Sequence, residues 1–143
     1  MRRLCLAFIC ATLAVPAYAQ SYLAVNRLQV VPVGNNAFEV IESRGEGARG
    51  MWCAAADFVL YGQGKKGNQR LYVKVPRGPS ATVAGRKGAV FTTDVNSLPN
   101  GPKESYSVSV RIAGLGLPVL HAYQFCKDYQ IELEDILLRR SGD

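Results

Sequence analysis

The middle of this chain has no acid. From Phe58 to Thr93 there is neither Asp nor Glu, while seven cations fall there: Lys65, Lys66, Arg70, Lys74, Arg77, Arg86 and Lys87. Histidine is almost missing as well, with His121 alone among 143 residues. One imidazole excludes a histidine-rich metal centre, and two mature thiolates plus that imidazole fall short of the four ligands of a structural zinc site. There is no C-x-x-C pair, no G-x-S-x-G elbow and no Walker phosphate loop, since neither Lys65 nor Lys66 is followed by Ser or Thr. The carboxylates Asp128, Glu132, Glu134 and Asp135 lack EF-hand spacing. No cofactor motif is present. No apolar run reaches the ~20 residues that a membrane-spanning helix needs.

What is present begins with a leader. Met1-Arg2-Arg3 is a basic start, Leu4 to Val15 is an apolar run, Pro16 breaks it, and Ala17-Tyr18-Ala19 places small residues where a signal peptidase cuts. Cys10 follows Phe8-Ile9 and Cys5 lies beside the basic start, so neither fits a lipoprotein signal. Cleavage is expected between Ala19 and Gln20, which gives a periplasmic or secreted protein. Removing 19 of 143 residues leaves 124, enough for one domain over 20–143. The leader carries two of the seventeen basic residues, so the formal charge falls from +6 to +4. That excess is too small to mark a nucleic-acid binder. Cys53 and Cys126 remain, and an even pair in an oxidising compartment predicts one disulfide.

Patterning predicts an α+β domain. Residues 22 to 33 are rich in β-branched side chains and read as a strand, Gly34-Asn35-Asn36 as a turn, and Ala37 to Glu42 as the second arm of a hairpin. Trp52, Ala55, Ala56, Val59 and Leu60 fall on one helical face, so the main helix is placed at about 51–61, with Gly62 and Gly64 as stops. Gln69 to Val75 and Ala89 to Val95 are expected strands, the first ended by Pro76-Arg77-Gly78-Pro79-Ser80. Glu104 to Ala113 alternates most cleanly, with Tyr106, Val108, Val110 and Ile112 opposite Ser105, Ser107, Ser109 and Arg111, the pattern of a half-buried antiparallel strand. His121 to Cys126 fits a helical turn or a strand end, and Ile131 to Leu138 a short helix or a final strand. The sum is four to five antiparallel strands, one main helix and one disulfide.

Two glycine-bearing loops, Gly62-Gln-Gly-Lys-Lys-Gly67 and Gly85-Arg-Lys-Gly88, set backbone amides beside cations and favour anions. Arg77 and Ser80 of the Arg77-Gly78-Pro79-Ser80 turn are a second candidate pair. Asp57, alone among acids on the main helix, is expected to face solvent or pair with an Arg; the basic stretch either stays exposed or is neutralised by Asp128 to Asp135 folding across it. The strings Trp52-Cys53-Ala-Ala-Ala-Asp57, Arg70-Leu-Tyr72-Val73 and Arg77-Gly-Pro-Ser80 resemble small exported alphaproteobacterial proteins of unknown function, over roughly residues 36 to 95. The resemblance implies an exported, cysteine-bridged domain and carries over no activity.

The expectation is a non-enzymatic binding or structural envelope protein. Its seven cations would meet an anionic envelope polymer, lipid headgroups or an acidic protein. The alternatives are an inhibitor or accessory module of another enzyme, and a small hydrolase with His121 as its base.

Overall fold

Asn26 and Arg27 break what the sequence presents as one strand. Arg27 sits in the left-handed region at φ 65°, and the buried Asn26 side chain donates to the Gly50 carbonyl at 2.8 Å. The chain therefore turns, and residues 22 to 33 become two strands, β1 (Tyr22–Leu23) and β2 (Gln29–Gly34), paired antiparallel. The computed structural model describes residues 20–34 and 36–141. Residues 1–19, where the leader is expected, and Asn35, Gly142 and Asp143 lie outside the described residues.

The remaining elements are β3 (Ala37–Ile41), α1 (Gly47–Asp57), a π-helical turn over Phe58–Gly62, β4 (Arg70–Pro79), β5 (Lys87–Thr92), a 3-10 turn over Val95–Ser97, β6 (Gly116–Pro118) and α2 (Val119–Ser141). The six strands form one antiparallel sheet in the order β1-β2-β3-β5-β4-β6. Both helices cover one face. Phe38, Val40, Val73, Ala89 and Phe91 point there and meet Trp52, Ala55, Ala56, Val59, Val119 and Ala122 in the main core. Trp52 meets Phe91 edge-on at 5.0 Å between centroids, and Phe38 meets Phe58 at 4.7 Å. The alanines of α1 leave room for α2, and Cys53–Cys126 joins the two helices, with Cα atoms 4.9 Å apart.

The α+β class, antiparallel sheet, helix over the 51–61 region and disulfide agree with expectation. Four details differ. The strand count is six. Strand β4 runs through Pro76-Arg77-Gly78-Pro79 rather than stopping there, because register shifts between Val73 and Val75 and between Val75 and Gly78 put the prolines where no ladder N–H is needed. Residues 104 to 113 form no strand. There the amides of Ser107, Ser109 and Arg111 donate to the hydroxyls of Ser105, Ser107 and Ser109, each at 3.1 Å, so the segment satisfies its own donors instead of joining a ladder. Finally, the two C-terminal fragments fuse into the single 23-residue α2. Pro118 precedes it, and neither Gly nor Pro interrupts it.

Candidate functional site

The sheet face away from the helices is shared between a lid and a groove. Ala37, Glu39 and Ile41 of β3 alternate onto this face, and they pair with Thr92, Val90 and Gly88 of β5. The β4–β5 loop folds back over them. Its Ser80 hydroxyl, Ala81 amide, Thr82 amide and Thr82 hydroxyl all donate to the buried Glu39 carboxylate, at 3.0, 3.0, 3.1 and 2.5 Å. Gly88 makes this possible, because a Cβ there would meet Glu39 Oε1 at 2.7 Å and the Val40 carbonyl at 2.9 Å. All four contacts are internal, so Glu39 fastens the lid.

The groove lies at the other end of the face, where β4 begins. It encloses about 800 Å³ between β4, β6 and the segment 102–106. Arg70 and Tyr72 line it from the strand, and Lys103, Glu104, Ser105 and Tyr106 from the opposite wall. Each wall is held in place. Arg70, which lines the groove, is held there by its Nη2, which donates to the Gly116 carbonyl at 2.9 Å. The Tyr72 ring lies over Gly116, where a Cβ would stand 2.5 Å from it. The opposite wall is pinned by the Lys103 amide, which donates to the Gly114 carbonyl at 2.8 Å. Gly114 itself is at φ 83°, and a Cβ there would press on the Gly101 carbonyl at 2.5 Å. Tyr106 is fully exposed, projecting from a backbone held by the serine hydroxyls.

The seven cations singled out from the sequence do not form one patch. Arg77 is bound bidentately by Glu42, its Nε and Nη2 at 2.8 and 2.7 Å from the two carboxylate oxygens. Arg86 donates to the Glu42 carbonyl at 3.0 Å. With Lys87 they occupy the end of the sheet where Gly88 pairs with Ile41 and Gly78. Lys65, bonded to Asn36 and Thr93 at 3.4 Å, and Arg70 belong to the opposite end, where Thr92 pairs with Ala37 and Tyr72. Lys66 is exposed on the loop beside Lys65, and Lys74 sits at a bulge in between. The acid that answers Arg77 comes from Glu42, just after β3 and outside the acid-free stretch, rather than from Asp128 to Asp135. Arg77 and Ser80, the second candidate pair, are each bound to a glutamate, Glu42 and Glu39.

Asp57 is also placed otherwise than expected. It is buried and accepts from the Tyr22 hydroxyl at 2.8 Å and the Val25 amide at 3.1 Å, fixing β1 to the end of α1. Burial, and then the hydrogen bond and charge of Asp57, push the Tyr22 hydroxyl well above its ordinary range. Burial and a hydrogen bond with Tyr61 push Tyr123 up to about 12. The Tyr22 hydroxyl is a donor to Asp57, and that contact holds the strand to the helix. His121 is exposed on α2, tilted against Phe125 with ring centroids 6.0 Å apart. Among the described residues no group of three or more His, Cys, Asp or Glu is placed to hold a metal ion, and no helix is long and apolar enough to cross a membrane.

Of the groove residues, sequence reasoning singled out only Arg70. Lys103 is distant in sequence, and Tyr106 was assigned to the buried side of a strand that does not form. Serine at alternate positions 105, 107 and 109 is the signal that could have found it, because such residues bind nearby backbone in preference to a ladder. Comparisons with protein-family models, curated proteins and solved structures give no match to this chain.

Proposed function

We propose that this protein is an exported, non-catalytic binding domain whose groove holds a segment of acidic polysaccharide of the cell envelope. One observation carries the reading: two tyrosine rings and two cations, Tyr72, Tyr106, Arg70 and Lys103, line a single open groove. Aromatic faces stack on the apolar faces of sugar rings, and a guanidinium matches a carboxylate in two hydrogen bonds. Ser105 and Glu104 add an acceptor-rich wall for sugar hydroxyls. An open groove suits a chain that passes through rather than a small molecule that must be enclosed. The basic leader and apolar run of the sequence, together with the disulfide, support export.

The test is binding of the oxidised mature chain to polygalacturonate by calorimetry at low and moderate salt. Arg70→Glu with Lys103→Glu should abolish binding. Arg86→Glu with Lys87→Glu changes net charge equally but lies about 17 Å or more away along β5 from Thr92, the partner of Tyr72, and should leave most of it. Tyr106→Ala should weaken binding by about tenfold or more, as loss of a stacking ring does. Equal losses from the two charge-reversed pairs, or no effect of Tyr106→Ala, would place recognition outside the groove.

A further inference from the structure

The second half of α2 leaves the body of the domain. Ala122 and Cys126 are buried against α1, but from Lys127 to Ser141 every residue is exposed except the half-buried Tyr129. Lys127 to Ser141 therefore forms an arm roughly 22 Å long. A helix of that length without tertiary packing is marginal in water, and a solvated arm would be polar on every side. This one carries Leu133, Ile136 and Leu137 at 46, 54 and 57% exposure. Helical spacing places them on the side that continues the buried Ala122–Cys126 face.

The arm also differs in charge between root and tip. At its root, Glu46 at the start of α1 and Glu132 flank a gap of about 480 Å³ that Tyr129, Leu133 and Ile136 also line. Arg44 lies in the same corner and offsets part of this acid. The Glu46 carboxyl is nevertheless raised, first by burial, with Glu132 adding to the effect. At the tip stand Arg139 and Arg140. Arg139 already pairs with Asp135 on its own helix at 3.0 Å. Arg140 is roughly 12 Å along the helix from Glu132, too far to reach its own corner. Root and tip are complementary, yet cannot meet within one chain.

We propose that a second copy of this chain covers the arm. Two arms lie antiparallel about a two-fold axis, Leu133 and Ile136 of each pack on the other, and each Arg140 enters the Glu46–Glu132 corner of the other copy. A two-fold axis requires a self-complementary surface, and the reversed charges of root and tip supply one.

Sedimentation velocity on the oxidised mature chain tests this. A reversible dimer is expected, weakening as salt rises. Leu133→Asp with Ile136→Asp should give a monomer. Arg140→Glu and Glu132→Arg should each weaken the dimer by about tenfold or more. Mixing those two single variants should restore it, because both corners of the mixed dimer then join opposite charges. The substituted side chains lie outside the core, and an unchanged near-ultraviolet spectrum establishes that each variant is folded. A mature chain that stays monomeric at all concentrations would overturn the proposal, as would a dimer indifferent to Leu133→Asp with Ile136→Asp, or a mixture that fails to associate. A monomer that binds anionic vesicles through this arm would assign the face to a lipid surface instead.

Discussion

Three buried or half-buried carboxylates behave differently because of what each accepts. Glu39 accepts four hydrogen bonds from Ser80, Ala81 and Thr82, and Asp57 accepts two from Tyr22 and Val25. Deleting the Glu39 carboxylate leaves a row of lid donors without partners. Glu39→Ala should therefore cost on the order of 4 kcal/mol in urea unfolding, with amide exchange at Ala81 and Thr82 accelerated before the sheet opens. A cost below about 1 kcal/mol would mean that water replaces the carboxylate and the lid is not fastened by it. Glu46 accepts no such set, and burial raises its carboxyl above the ordinary 4.5. Between 4.5 and that raised value the folded chain holds more protons than the unfolded chain. This contribution to stability is complete below 4.5 and is lost as pH rises through the folded value. Glu46→Gln should accordingly be more stable than the parent at neutral pH, and the difference should vanish toward acid pH. An equal effect of the substitution at both pH values would assign it to packing or helix capping instead.

At the scale of elements, two segments differ from their sequence pattern for opposite reasons. Residues 104 to 113 have an ideal alternation, yet β6 already pairs with β4 at Arg70 to Tyr72 and the serine hydroxyls satisfy the local amides. Trp52 Nε1 then takes the Val108 carbonyl at 2.9 Å, and the Arg77 amide takes Val110 at 2.8 Å. The segment is fastened from both sides without becoming a strand. In α2 the pattern is weak because Ile131 and Leu138 are apolar as well as Leu133, Ile136 and Leu137, so the apolar positions are not confined to one stripe. The absence of Gly and Pro from Val119 to Ser141 was the legible signal. Strand β4 shows a third case: prolines normally end a strand, and only its bulges permit continuation.

Across the whole molecule, Cys53–Cys126 closes a span of 73 positions and joins the two helices that cover the sheet. In the chain-entropy model a loop of that length stabilises the fold by about 4 kcal/mol. Cys53→Ser with Cys126→Ser should lower the unfolding free energy by about 2–5 kcal/mol and raise protease sensitivity first in α2, which the bridge ties to α1 at Cys126. Unfolding and cleavage unchanged from the parent would show that Val119 and Ala122 hold α2 unaided.

The α+β class, the helix that carries Trp52 and its alanines, and the cysteine pair were legible because each depends on local periodicity, composition or simple parity. Which cations face one another was not legible. Glu42 reaches Arg77 over 35 positions, and Tyr106 and Arg70 come to line one groove where Gly114 and Gly116 let distant backbones approach. Strand order and chain crossing decide such contacts, and no short window of sequence contains them. Sequence alone therefore determined the class of domain and its covalent bridge, while tertiary structure, through strand order and chain crossing, decided which charges are held internally and which stay exposed.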